Sequence, residues 1–209
     1  MKTSLVALFV LLYALSMGLQ SLLVAADDAS PRQVVDTTGK VLRAGSNYYI
    51  LPVAPIIKCA PHGRCWSRDA GFSLAGIGKY CPLDVVVGDR YRALPVTFTP
   101  LNPKKGVIPV YSDLNIQFSG YNKCPQSTVW KLDRFDASSN HWFVTTGGIL
   151  GEPGWKIEEY GGDYKLVYCP SGCKSCRRLC KNVGVFVDEK GNNRVALTDA
   201  PYKVKFQEA

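Results

Sequence analysis

Between residues 202 and 206 the chain reads Tyr-Lys-Val-Lys-Phe, with Tyr202, Val204 and Phe206 at one parity and both lysines at the other. That is the period of a strand with one buried face. Runs of similar character, rich in aromatic and β-branched residues, recur near 48–52, 71–75, 83–87, 96–98, 114–118, 129–135, 142–146, 155–160, 164–168, 183–187 and 194–197. Turn signals separate them: Thr38-Gly39, Asp69-Ala70-Gly71, Gly88-Asp89, Ser138-Ser139-Asn140, Gly161-Gly162-Asp163 and Lys190-Gly191-Asn192-Asn193. Past the N-terminal leader, no stretch of ten residues keeps a helical apolar period. An all-β barrel or sandwich of twelve strands is therefore expected. Taken four at a time, the runs span about 50, 47 and 43 residues, which points to three units and leaves strand order open.

The N-terminus places Met1-Lys2 before an apolar stretch from Leu5 to Leu15, and Ala25-Ala26-Asp27 supplies the small residues of a cleavage site. Residues 1–26 read as a secretory signal and 27–209 as one domain. Ser16, Gly18, Gln20 and Ser21 interrupt the leader short of the roughly 20 apolar residues a membrane span needs, so no membrane association is expected. Formal net charge is +8, and losing the leader removes Lys2 and leaves +7. The excess favours solubility and acidic surfaces. The basic residues are dispersed and accompany no recognition motif, so nucleic acid is not an expected partner. Their densest cluster, Lys174, Arg177, Arg178 and Lys181, reads as a solvated turn.

All eight cysteines, at 59, 65, 81, 124, 169, 173, 176 and 180, follow the leader. An even number in a secreted chain predicts four disulfides, with 105 possible pairings. The symmetric run Cys169-x3-Cys173-x2-Cys176-x3-Cys180 is compatible with an outer and an inner pair across one narrow loop. A zinc site would draw its ligands from two separated knuckles, and a redox Cys-x-x-Cys pair would open a helix. Neither context is present, and no metal or other cofactor is expected.

Several motifs in order resemble one family. Val34-x-Asp36-x-Thr38-Gly39-Lys40-x-Leu42, followed after five residues by Tyr48-x-Ile50, is similar to the N-terminal signature of the Kunitz-type soybean trypsin inhibitor family. Cys81-Pro82-Leu83-Asp84-Val85-Val86, Ser127-Thr128-Val129-Trp130-Lys131-Leu132 and Tyr164-Lys165-Leu166-Val167-Tyr168-Cys169-Pro170 resemble its miraculin-like branch. The resemblance extends over essentially the whole of 27–209. It implies a β-trefoil, with twelve strands in three pseudo-symmetric units, and disulfides Cys81–Cys124, Cys169–Cys180 and Cys173–Cys176. Cys59 is left to Cys65, a bridge the commoner family pattern lacks, closing a small insertion over 58–66.

The resemblance also implies a function: a rigid, substrate-like loop offered to a serine protease of the trypsin type, with a cysteine protease as a further possible partner. The corresponding segment is Thr99-Pro100-Leu101-Asn102-Pro103-Lys104-Lys105-Gly106-Val107-Ile108-Pro109, with Asn102 to Ile108 as the reactive site. Gapless counting from 114–118 puts Lys104 in the protease's specificity pocket. If the family's frequent proline two residues earlier sets the register, the residue is Lys105. Either lysine suits an acidic pocket, since a buried ammonium needs a carboxylate partner. Family inhibitors usually carry an asparagine in the N-terminal segment that hydrogen-bonds this loop from within. Counting from Asp36 puts Ala44 there, and a methyl makes no such bond. Gly106 adds backbone freedom beside the scissile bond. A second reading therefore stands beside the first, a non-inhibitory miraculin-like binding or defence protein.

Catalysis has little support. His62 and His141 are the two histidines, read as surface residues, His62 in the insertion and His141 in a turn beside Trp142. Gly71-Phe72-Ser73-Leu74-Ala75 is an imperfect nucleophile elbow without a following helix. Arg64, Trp66 and Arg68 join an aromatic to two cations in the insertion, a contact-surface composition, although Trp66 packing inward is the plainer reading. No Asn-x-Ser/Thr acceptor follows the leader. With eight cysteines paired within one chain, a monomer is expected.

Overall fold

The computed structural model describes residues 31–209 except 55, 60, 61, 64, 69, 79, 90–92, 103–105, 121, 122 and 172–178; for 56–59, 65–68 and 89 it describes the backbone alone. Each of the twelve sequence runs forms a strand, and two further strands arise in the insertion. In chain order they are β1 (Asn47–Pro52), β2 (Ile56–Cys59), β3 (Cys65–Arg68), β4 (Ala70–Ala75), β5 (Asp84–Asp89), β6 (Val96–Pro100), β7 (Leu114–Phe118), β8 (Lys131–Asp136), β9 (His141–Thr145), β10 (Trp155–Tyr160), β11 (Asp163–Tyr168), β12 (Lys181–Val187), β13 (Asn193–Thr198) and β14 (Lys203–Glu208). No helix occurs among the described residues.

Six strands close a ring in the order β10-β7-β6-β1-β14-β11, with β11 returning to β10. Closure removes the sheet's free edges. The other long pairings are the hairpins β4–β5, β8–β9 and β12–β13. Their strands also meet pairwise, through Asp84↔Thr145, Ala196↔Phe143 and Arg194↔Val86. Three hairpins touching in a triangle over a six-stranded barrel make a β-trefoil. The chain passes through one hairpin each time it leaves the barrel at that end. At the opposite end it makes the β6–β7 and β10–β11 connections, and there the segment before β1 also lies.

The alternation read at 202–206 is borne out by burial: Val204 and Phe206 are in the core, with Lys203 and Lys205 half-buried outside. The barrel interior is aromatic. Phe98 meets Phe206 edge-on at 5.4 Å, and Trp130 stacks near Phe72 at 5.7 Å while standing at 90° to Trp155. Such offset and edge contacts add to the area these rings bury. Cys81–Cys124 and Cys169–Cys180 are bonded, with Cα separations of 5.7 and 4.3 Å.

One expectation is refined and one needs correction. The legs of the insertion form the hairpin β2–β3, a separate two-stranded sheet with Lys58↔Trp66 and Cys59↔Cys65 in register. Its runs are too short and too mixed in polarity to stand out, and only pairing across the His62-Gly63 turn makes them strands. His141 is not in a turn: it is the first residue of β9, half-buried, with its ring 4.6 Å from that of Phe186. Gly71 to Ala75 lie on β4, so the nucleophile-elbow geometry is absent.

Candidate functional site

The β6–β7 connection leaves the barrel end opposite the hairpins. On the entering side, Pro100 is buried, then Leu101 and Asn102 turn outward, Leu101 with 61% of its surface exposed. The Leu101 N–H donates to the Asp113 carbonyl at 3.0 Å, drawing the two legs of the loop together at its base. Pro103, Lys104 and Lys105, which include both specificity candidates, lie outside the described residues.

The returning leg is held far more closely. Gly106 is exposed at φ 64°, a left-handed conformation that glycine adopts without steric cost, and a Cβ there would meet nothing within 4 Å. Its carbonyl accepts the Ala44 N–H at 2.9 Å. Two residues on, the Ile108 N–H donates to Leu42 at 3.0 Å while its carbonyl accepts from Val34 at 2.9 Å, and Leu42 in turn donates to Val34 at 2.8 Å. Val34, Leu42 and Ile108 are fully buried. With the bridges Arg43↔Val107 and Gln33↔Pro109, the leg becomes the third member of a small ladder with the N-terminal segment.

That segment is itself fastened. The Asp36 carboxylate closes the turn 36–40 by accepting the Thr38 N–H at 2.8 Å, the Thr38 hydroxyl at 2.7 Å and the Lys40 N–H at 3.0 Å. Burial pushes the Asp36 carboxyl upward, but these hydrogen bonds and the Lys40 charge outweigh it and hold the group below its ordinary value of 3.8. The Tyr164 hydroxyl accepts from Val35 and the Tyr48 hydroxyl from Arg43, both at 2.9 Å. Ala44, the loop-support position, is half-buried, packs against the core, and reaches the loop through its backbone alone.

Asp113 carries a support not legible in the sequence. Its Oδ1 lies 3.3 Å from the Lys156 ammonium and accepts the Ser171 hydroxyl at 3.2 Å, and Lys156 donates to Ser171 at 2.9 Å. Both charged side chains are more than four-fifths buried, so solvent screens this pair less than a surface pair. It ties the loop's exit to β10 and to the segment that follows Cys169. No spacing rule joins residues 113, 156 and 171, which meet only through folding.

Of the remaining site cysteines, the backbones of Cys59 and Cys65 face each other in the hairpin, and Cys173 and Cys176 lie outside the described residues. His62 is exposed. Among the described residues, no three His, Cys, Asp or Glu side chains are grouped to hold a metal ion. What the described part of the arrangement offers chemically is a connection whose two legs are fixed by backbone hydrogen bonds.

Comparison with known proteins points to one family. The family described as trypsin and protease inhibitor, of the legume Kunitz type, matches residues 34–208. The chain is 40% identical over 201 residues to miraculin of Synsepalum dulcificum, covering 88% of this chain and 86% of that protein. It is 36% identical over 193 residues to Kunitz trypsin inhibitor 5 of Arabidopsis thaliana, covering 87% and 88%. Among solved structures it is similar to a Kunitz-type cysteine protease inhibitor from potato, with TM-score 0.69 and 29% identity over 86% of this chain and 98% of that one.

Proposed function

The chain belongs to the Kunitz family of trypsin and protease inhibitors, and from that membership we propose that it is a secreted, monomeric serine endopeptidase inhibitor with a role in defence. Its segment from Asn102 to Ile108 enters a trypsin-like protease as a substrate does, with Lys104 or Lys105 pairing with the carboxylate of the specificity pocket. The observation that carries this reading is the returning leg, where Gly106 and Ile108 are hydrogen-bonded into the N-terminal segment directly after the two lysines. A loop ordered during folding loses little entropy on binding, so more of its contact energy appears as affinity. Held ends also favour religation of a cut bond over release. The destination is the extracellular space, with the vacuole as the alternative.

A second reading, a non-inhibitory binding or defence protein that keeps the trefoil as a scaffold, is favoured by Ala44, whose methyl contributes no hydrogen bond to the loop. An inhibition titration against trypsin, chymotrypsin and papain, run on the natural protein and on Lys104→Ala and Lys105→Ala, separates the two. We expect trypsin inhibition at about micromolar concentration or below, and a loss of about 30-fold or more when the pocket lysine is removed. Unchanged inhibition in both variants would take this loop out of the account. No inhibition of any of the three enzymes would leave the second reading.

A further inference from the structure

Asn115 stands on β7 between Leu114 and Ile116, both fully buried, so the pleat turns it to the outer side of the barrel wall. It is nevertheless only 3% exposed. What covers it is the turn Ile149-Leu150-Gly151-Glu152, in the connection from β9 to β10. The Glu152 N–H donates to the Ile149 carbonyl at 3.3 Å, and Gly151, at the third position, has φ 94°, the mark of a type II turn. Asn115 clamps this turn from behind. Its Oδ1 accepts the Gly151 N–H at 3.0 Å, and its Nδ2 donates to the carbonyls of Glu152 at 3.1 Å and Ile149 at 3.5 Å. The residue before the turn is fixed too: Gly148 donates to Val129 at 2.9 Å, and a Cβ on it would come within 2.6 Å of the Trp130 carbonyl.

The Gly151 N–H and the carbonyls of Ile149 and Glu152 are thus paired from the protein side, while the turn's two aliphatic side chains face water, Ile149 at 62% and Leu150 at 53% exposure. Neighbouring large aliphatic groups held rigidly in solvent contribute little to the core and mark a contact surface. Their location supplies the partner. Asn115 is opposite Thr99 in the β6–β7 ladder, and Asp113, two residues before it, accepts the Leu101 N–H. The turn is therefore anchored on β7, the strand into which the candidate inhibitory loop runs. Leu101 and Tyr111, on the two legs of that loop, are also exposed, at 61% and 53%. Four of the eight exposed large apolar side chains among the described residues belong to the loop and this turn.

We propose that the Ile149–Leu150 turn is a second contact element of the inhibitor, engaging apolar surface of the bound protease beside its cleavage cleft. The inference rests on the loop reading above. A type II turn is not the extended strand a protease cleaves, so the turn is bound and not cut. Because Asn115 has already ordered it, its contact adds affinity without a further ordering cost. The gain lies in slower dissociation, as for most interface contacts.

The test compares the natural protein with Ile149→Ser/Leu150→Ser, Ile149→Ala/Leu150→Ala, Lys104→Ala and Lys105→Ala. Inhibition constants and dissociation rates are read against trypsin with a small chromogenic substrate, and melting temperatures are recorded in parallel. The turn pairs keep every backbone partner of Asn115, so their melting temperatures should match the natural protein. Their inhibition constants should rise about tenfold or more, mostly through faster dissociation. If the natural protein inhibits and a lysine variant does not, while both turn pairs stay within about twofold, the second contact is overturned and the loop reading stands. If the natural protein inhibits and neither lysine matters, the loop reading fails and the turn proposal with it. Cleavage between Leu150 and Gly151 during the complex's lifetime would also overturn the proposal.

Discussion

The backbone N–H of Ala44 donates to the carbonyl of Gly106 at 2.9 Å, so the support position meets the loop through its main chain while its methyl packs against the core. Position 44 is thus already beside the loop, and what it lacks is a side-chain amide. Ala44→Asn supplies two donors and an acceptor at a place where one more hydrogen bond braces the returning leg. A net gain of about 1 kcal/mol corresponds to roughly fivefold tighter inhibition. Titration against trypsin checks it, alongside the time the loop survives in excess protease. An unchanged inhibition constant would show that the backbone contact suffices.

Acid should loosen the N-terminal segment, whose turn 36–40 is closed by the Asp36 carboxylate. Asp36 has a folded-state pKa below its ordinary 3.8 because the hydrogen bonds from Thr38 and Lys40 outweigh its burial. A depressed carboxylate stabilises the fold above its unfolded pKa, and that contribution is lost as pH falls through the folded value. Asp136 and Asp188, lowered by hydrogen bonds from Ser138 and Asn192 respectively, act in the same direction. Melting temperature followed from about pH 6 to pH 2 should fall below about pH 4, and Asp36→Asn should flatten part of that fall. A variant profile parallel to that of the natural protein would remove Asp36 as a contributor.

At the hairpin end, Arg194 donates to Asp84 at 2.8 Å and its guanidinium lies 3.4 Å from the Phe143 ring centroid. Asp84 is fully buried and its second oxygen has no hydrogen-bond partner among the described residues, so the arginine is its main compensation there. Arg194→Met leaves a buried carboxylate unpaired, at a cost of about 3–5 kcal/mol, and lowers the melting temperature by roughly 10 °C for a domain of this size. Arg194→Met/Asp84→Asn should recover part of that loss. Because this pair is at the end of the barrel away from the β6–β7 loop, trypsin inhibition by the folded fraction should not change. A fall in inhibition without a fall in stability would contradict that separation.

The strands were largely legible because burial on one face imposes a period of two that survives without any partner in view. The run at 114–118 shows it: Leu114, Ile116 and Phe118 are buried in the barrel. The β2–β3 hairpin escaped notice because its strands are short and their composition mixed. The candidate loop was placed by resemblance, and its lysines at 104 and 105 lie outside the described residues. The Asn115 clamp and the Asp113–Lys156–Ser171 bracket left no trace in the sequence, since each joins residues far apart in the chain or on different elements, which no local period relates.

What this chain's sequence determined alone is its class: short alternating runs and turn residues commit it to strands, and its motifs in order commit it to one family. Which strands close the barrel, and which buried polar side chain holds which exposed turn, was decided only when the chain folded in three dimensions. Those choices depend on pairwise contacts across large separations in the chain, and a one-dimensional pattern of polarity does not encode them.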